Sequence, residues 1–201
     1  MIKMGNKAVF LDRDGVITEI IYHKEMGIID SPFHVDQIKL LPDVGKAINN
    51  FHNLGYKVII VSNQPVIAKN HFEMNTFNQM KEKVKTELIK QAASVDAEYY
   101  CLHHPEGIIK DYTMVCSCRK PKPGLILKAA DEHNINLSES WMIGDGITDI
   151  IAGSQAGCKT ILIGRMKCDL CKLMEDKGAK PDFITPNLFK ASLIIQKELR
   201  D

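Results

Sequence analysis

The sequence lacks an excess of charge of either sign. Its 201 residues carry 26 Lys and Arg against 25 Asp and Glu, which gives a formal net charge of +1. Proteins that bind nucleic acids broadly are usually strongly basic. Local basic patches are compatible with this balance, but we expect no nucleic-acid partner.

Long apolar runs are also missing. No stretch approaches the about 20 apolar residues of a membrane span, and residues 1–6 lack the apolar core of a signal peptide. We therefore expect a cytoplasmic protein with no membrane partner. In that compartment the six cysteines are expected to be thiols or metal ligands rather than disulfides.

What the sequence does contain is an alternation of short apolar strands and amphipathic helices. It predicts strands at 7–11, 58–61, 99–100, 141–143, 160–163 and 183–184, and helices at 44–54, 75–92, 125–132, 149–156 and 189–199. This alternation indicates an α/β fold, a doubly wound, Rossmann-like parallel sheet covered on both faces. We expect residues 1–201 to form a single domain and a monomer.

Residues 16–41 interrupt this pattern and show no helical period. A connection of this length in a compact domain usually has a function. We therefore predict that it forms a flap over the functional site, with a small hairpin. A disordered excursion is the alternative, which the apolar pairs Ile20-Ile21 and Ile28-Ile29 disfavour.

Asp12-Arg13-Asp14-Gly15 follows the first predicted strand. In extended backbone the two carboxylates point to the same side and repel each other. A Mg²⁺ ion between oxygen ligands would relieve this repulsion, and so would a pairing of nucleophile with proton donor. A solvated turn is the alternative. Ser62 and Asp145 also follow predicted strands, and ligands of such sheets bind where the strands end.

Four motifs resemble, in their order along the chain, those of the haloacid-dehalogenase-like phosphohydrolases. They are Asp-x-Asp-Gly, Ser62, Lys120 and a Gly-Asp-x-x-x-Asp motif that ends at Asp149. The resemblance spans nearly the whole chain. It implies a Mg²⁺-dependent phosphatase that forms an aspartyl-phosphate intermediate.

The resemblance also implies the roles of individual residues. Asp12 would attack phosphorus, and Asp14 would protonate the leaving oxygen and then activate water. Ser62 and Lys120 would contact the phosphoryl group. The Mg²⁺ ligands would be Asp12, Asp145 and the backbone carbonyl of Asp14, while Asp149 would cap a helix or hold the water shell of the ion. We expect substrate contacts from Arg13, Asn63, Gln64 and Arg119.

A second constellation consists of Cys101-x-His103 and Cys116-x-Cys118. Three thiols and an imidazole suit tetrahedral Zn²⁺ with no open position, which indicates a structural site. The alternative is four unrelated residues. We call residues 101–118 the zinc loop.

The zinc loop, together with Arg119-Lys120, resembles that of the D,D-heptose 1,7-bisphosphate phosphatases, and the histidinol-phosphate phosphatases share it. This resemblance implies removal of one phosphate from a sugar bisphosphate that feeds surface glycan synthesis, with Arg119 on the distal phosphate or sugar. Pro65 and Gly146 depart from the family pattern. Histidinol phosphate or another phosphomonoester is the rival substrate, and an inactive zinc-stapled binding domain is the non-enzymatic alternative.

Two further cysteines form a Cys-x₂-Cys pair, Cys168 and Cys171. Reduced surface thiols are expected there, and a redox or second metal site is the alternative. Cys158 is expected to be a small buried residue.

Overall fold

The structure, a computed structural model, describes residues 5–24, 28–164, 178–179 and 181–199. Its strands are β1 (Lys7–Leu11), β2 (Ile21–His23), β3 (Ile28–Asp30), β4 (Tyr56–Asn63), β5 (Ala97–Cys101), β6 (Trp141–Gly144), β7 (Lys159–Ile163) and β8 (Phe183–Thr185). Its α-helices are α1 (Val44–Asn53), α2 (Met74–Lys90), α3 (Gly124–His133), α4 (Ile147–Ala156) and α5 (Leu188–Glu198).

Six strands form one sheet in the order β5-β4-β1-β6-β7-β8, and every neighbouring pair in it is parallel. The predicted doubly wound α/β fold is therefore confirmed. The strand at 58–61 is longer than predicted, because β4 begins at Tyr56 and continues to Asn63.

The two faces of the sheet are covered by different helices. Alternate residues of a strand point to opposite faces, and β1 illustrates this. Val9 and Leu11 pack with apolar side chains of α1, α2 and α5, whereas Ala8 and Phe10 pack with those of α3 and α4. These four of the five β1 residues have no exposed surface, so the strand that precedes Asp12 is packed on both sides.

The flap contains the predicted hairpin, in which β2 and β3 pair antiparallel. It is anchored at both ends, since Val16, Ile17 and Ile38 are buried. The Phe33 ring stacks on the His23 ring at 3.9 Å between centroids. Within the part of the flap that the structure describes, these contacts contradict the alternative of a disordered excursion.

An Asp just before an apolar helical period usually caps the helix with its side chain, but Asp43, at the N-cap position of α1, makes no such hydrogen bond. Its backbone is left-handed, with φ of 61°, and its carboxylate pairs with Lys46 at 2.7 Å instead.

Among the described residues, the structure contains no helix of the length and apolarity that a membrane span requires.

Candidate active site

The site lies where the chain changes direction across the sheet. From β1 the chain passes to β4 and β5 on one side, then crosses back to β6 on the other. Ligands of doubly wound sheets bind at such a switch point. The structure brings Asp12, Ser62 and Asp145 together there, around a cleft of about 260 Å³.

Three carboxylates cluster at the base of this cleft, and Asp149 is the buried one. Oxygen atoms of Asp12, Asp145 and Asp149 lie within 4.8 Å of one another. Burial, together with the charges of Asp12 and Asp149, raises the pKa of Asp145 to about 7. An oxygen-liganded divalent cation would relieve this repulsion, so the donor set fits Mg²⁺. Gly15 is required at the turn, because its φ is +81° and a Cβ there would overlap the Asp145 carboxylate.

Lys120 supplies the opposing charge and is only 3% exposed. Its Nζ lies 2.9 Å from Asp12 Oδ2 and 2.5 Å from Asp149 Oδ1, and it donates to the Val61 carbonyl at 2.9 Å. Burial by itself lowers the pKa of Lys120, but the two carboxylates outweigh it and raise that pKa above its ordinary value. Lys120 is thus a buried cation, not a solvated surface charge.

Asp149 has a larger part than the sequence suggested. Its Oδ2 accepts from the Gly146 backbone N–H at 3.0 Å, which is the predicted helix cap. Its other oxygen faces Lys120. The Gly-Asp-x-x-x-Asp motif singled out this residue, but the ion pair depends on a lysine in a distant segment.

Arg13 and Gln64 differ from expectation. Both side chains are fully buried and contact Asp14. Arg13 Nη2 lies 2.9 Å from Asp14 Oδ2, and Gln64 Nε2 donates to the same oxygen at 2.7 Å. Burial raises the pKa of Asp14, but the Arg13 charge and the hydrogen bonds from Arg13, Thr18 and Gln64 lower it below its ordinary value. Direct substrate contact by Arg13 or Gln64 therefore does not fit their positions.

Asn63 borders the cleft, but both ends of its amide are already bonded. Its Nδ2 donates to the Lys120 carbonyl at 3.0 Å, and its Oδ1 accepts from the Lys120 N–H at 2.9 Å. This pair of bonds joins the end of β4 to the segment that carries the buried lysine. Asn63 positions Lys120 in this structure, so the expected direct substrate contact is not supported.

Flap residues also line the cleft, namely Ile20, Asp30 and Ser31. His23 Nε2 lies 2.9 Å from the Ser31 carbonyl oxygen, so the hairpin holds this lining segment. No sequence motif identified these three residues as part of the site. The length of the flap was the sequence feature that indicated a functional role for the segment.

The second constellation also comes together. The Sγ atoms of Cys101, Cys116 and Cys118 are 3.2 to 3.6 Å apart, and His103 Nδ1 lies 3.3 Å from Cys118 Sγ. These separations are too long for an S–S bond of about 2.05 Å. They are close to the edges of a tetrahedron around Zn²⁺, with Zn–S distances of about 2.3 Å. The four donors therefore fit a closed zinc site.

The zinc loop is tied to the segments that border the cleft. Arg119 Nη1 donates to the His103 carbonyl at 3.4 Å. On the other side of the loop, the N–H groups of Ile108 and Ile109 donate to the Ala68 carbonyl. The loop therefore holds Arg119 beside the turn that follows β4.

Two remaining cysteine predictions have different outcomes. Cys158 is buried, as expected, and only 8% exposed. Cys168 and Cys171 lie outside the described residues.

Fold and site together define a class of protein. A doubly wound sheet that presents clustered carboxylates and a buried lysine at its switch point is suited to metal-assisted hydrolysis of phosphate esters.

Comparisons with known proteins identify the family. Residues 117–191 match a family model described as HAD-hydrolase-like. The D-glycero-beta-D-manno-heptose-1,7-bisphosphate 7-phosphatase of Haemophilus ducreyi is 37% identical over 165 residues, which cover 81% of this chain and 85% of that protein. The protein of the same name from Escherichia coli K12 is 32% identical, over 79% and 78% of the two chains.

A solved structure agrees with these relatives. The D,D-heptose 1,7-bisphosphate phosphatase from B. bronchiseptica, complexed with magnesium and phosphate, has a TM-score of 0.76 and 26% identity. The match covers 96% of this chain and 99% of that one. The chain belongs to the haloacid-dehalogenase-like phosphatases, the family of these relatives.

Proposed function

We propose that the protein removes the 7-phosphate of D-glycero-D-manno-heptose 1,7-bisphosphate and releases the 1-phosphate. The observation that carries the proposal is the contact of Lys120 with both Asp12 and Asp149 at the switch point. The heptose substrate comes from the names of the relatives.

The first step is an attack by the Asp12 carboxylate on phosphorus. An O–P bond forms to Asp12 while the ester P–O bond breaks, and Asp14 gives its proton to the leaving oxygen. Lys120 and Ser62 would face the phosphoryl oxygens. Mg²⁺, held by Asp12, Asp145 and the backbone carbonyl of Asp14, would neutralise charge on the phosphate.

The second step regenerates the enzyme. Asp14, now a carboxylate, accepts a proton from water while that water attacks the phosphorus of the aspartyl phosphate. The bond from phosphorus to Asp12 breaks, and inorganic phosphate leaves. Asp14 is again protonated and Asp12 is again a free carboxylate, so the cycle balances.

Arg119 is proposed to contact the distal phosphate, since a guanidinium fork suits phosphate well. His104 lies near both Arg119 and Lys69. Burial and the charges of Arg119 and Lys69 lower the pKa of His104, so the two basic side chains act on one small region. That region is suited to a second anionic group.

The proposal includes the setting in which the enzyme works. Residues 1–201 act as one domain, with 16–41 as the flap and 101–118 as the zinc loop, which fixes Arg119 and Lys120. The enzyme is proposed to be a cytoplasmic monomer whose only partner is its small phosphorylated substrate, with no nucleic acid or membrane partner.

A substrate panel tests the proposal. Phosphate release with Mg²⁺ is measured for both anomers of heptose 1,7-bisphosphate, for histidinol phosphate and for p-nitrophenyl phosphate. We expect the highest kcat/KM on a heptose bisphosphate, and ³¹P NMR should show that the remaining phosphate is at C1.

Other outcomes would contradict the proposal in distinct ways. A preference for histidinol phosphate would assign the rival substrate. No release from any compound, by folded and metal-loaded protein, would favour a zinc-stabilised binding domain. An Asp12→Asn preparation controls for contaminating phosphatases.

A further inference from the structure

The Asp14 carboxylate is surrounded by hydrogen-bond donors. Arg13 Nε donates to Oδ1 at 3.0 Å and Arg13 Nη2 to Oδ2 at 2.9 Å. The Thr18 hydroxyl donates to Oδ1 at 2.7 Å and Gln64 Nε2 to Oδ2 at 2.7 Å. Each oxygen therefore receives two donors, which fills its lone-pair positions and fixes the plane of the carboxylate.

The three side chains that donate are themselves fixed. Arg13, Thr18 and Gln64 have no exposed surface. Gln64 Oε1 accepts from Arg13 Nη2 at 2.8 Å, so reversing the amide would place its NH₂ group against the guanidinium. The orientation that presents Nε2 to Asp14 is thus the favoured one. The Asp14 side chain, by contrast, remains 11% exposed and borders the cleft.

We propose that Arg13, Thr18 and Gln64 are positioning residues that act on turnover through Asp14. Gln64 Nε2 also donates to the Ser62 hydroxyl, at the longer distance of 3.2 Å. The proposal rests on the proton-transfer role of Asp14 in the proposed function. Because the three are fully buried, Asp14 is the member of the group that reaches the cleft. They hold its carboxylate at the angle from which a proton can pass to the leaving oxygen.

The leaving group tests this proposal. An alkyl phosphate needs a proton on its departing oxygen, whereas p-nitrophenolate leaves without one. For Gln64→Met and Thr18→Val we expect kcat/KM on an alkyl phosphate to fall about tenfold or more. On p-nitrophenyl phosphate the fall should be no more than about threefold. Thr18→Ser keeps the hydroxyl and should restore the alkyl phosphate rate.

A double variant tests whether the effect passes through Asp14. In an Asp14→Asn background, Gln64→Met should cause little further loss on the alkyl phosphate, because the group that it positions is already gone. Thr160→Val is a matched control, since Thr160 is a buried threonine whose hydroxyl bonds the Asp182 carboxylate far from the cleft. It should show equal, small effects on both substrates.

The outcomes separate this inference from the proposed function. If Asp14→Asn shows the leaving-group difference but folded Gln64→Met and Thr18→Val do not, the positioning role is overturned and the proposed role of Asp14 stands. Full additivity in the double variant would also overturn the positioning role. If Asp14→Asn itself loses equally on both substrates, both assignments fail.

Discussion

The acidic centre, formed by Asp12, Lys120, Asp145 and Asp149, and the cysteine–histidine cluster of the zinc loop are held together differently. The acidic centre takes its side chains from three separate segments of the chain, and a buried lysine partly balances its charges. The cysteine–histidine cluster comes from one segment, in which four donors surround a single point. Two residues of the acidic centre, Asp12 and Asp145, line the cleft, whereas the cysteine–histidine cluster is a closed site.

This difference suggests different tasks, with the reaction carried out in the acidic centre and the positioning of its groups carried out by the cluster. Arg119 and Lys120, which follow directly after the zinc loop, connect the two regions. Changes in the acidic centre should remove the reaction itself, and changes in the cluster should only displace the groups that serve it. The following predictions test this division.

The largest effect is expected for Asp12→Asn. The amide removes the attacking carboxylate, and kcat should fall about 10⁴-fold or more. The fold should survive, because Lys120 keeps its contact with Asp149. Phosphate release by purified variant checks the first expectation and circular dichroism the second. More than trace activity would show that Asp12 is not the nucleophile.

Lys120→Met should damage both activity and stability. It leaves Asp12 and Asp149 without their buried cation, and removing one partner of a buried ion pair costs about 3–5 kcal/mol. Urea unfolding in the absence of Mg²⁺ measures the free energy of unfolding. A variant that is as stable as the parent would mean that Lys120 does not balance these carboxylates.

Cys116→Ala and Cys118→Ala should have a smaller effect on catalysis. We expect one Zn²⁺ per chain in protein purified without chelator, and loss of that ion in either variant. Since a displacement of about 1 Å in positioning groups can cost about 10²-fold, kcat/KM should fall by up to that factor. Added Mg²⁺ should not restore it, because Mg²⁺ prefers oxygen ligands to thiolates.

Elemental analysis and limited proteolysis of the loop provide the measurements. Cys158→Ala is the control, since this buried thiol lies outside the cluster, and it should retain the full zinc content. The prediction would fail if the parent protein were free of zinc, fully active and alkylated at all three cysteines of the cluster. The loop would then be rich in cysteine without binding a metal.

The smallest effect is expected at the opposite end of the sheet. Asp96 Oδ2 accepts from the Val58 N–H at 2.7 Å and contacts His52 Nε2 at 3.0 Å. Burial raises the pKa of Asp96, but the Val58 bond and the His52 and Lys57 charges outweigh it and lower that pKa. This contribution to stability is present above the unfolded pKa of about 3.9 and is lost as pH falls through the folded value.

Asp96→Asn should therefore lower the free energy of unfolding by about 1 kcal/mol at neutral pH. The difference from the parent should shrink as the pH is lowered below 4. Zinc content and kcat/KM should be unchanged, because neither centre lies at this end of the sheet. Chemical unfolding across pH measures the effect, and a difference that grows in acid would contradict it.

Elements whose signal is local were predicted well. The strand at 7–11 matches β1 residue for residue, because an apolar run before a polar turn is typical of a buried parallel strand. The cysteine–histidine cluster was also predicted, since its donors lie in two close pairs of one loop. The helices differ from prediction by only a few residues at their ends, where local signals are weakest.

The sequence by itself determined which residues could carry charge, metal and phosphate chemistry, because side-chain type and order along the chain suffice for that. Only the tertiary structure decided how those groups pair. Arg13 and Gln64 are 51 residues apart, yet their side chains bond each other and hold Asp14 instead of facing substrate. Such contacts depend on the register of β1 against β4. They also depend on the burial of Arg13, whose guanidinium can bond only to the side chains packed around it. A local sequence pattern determines neither.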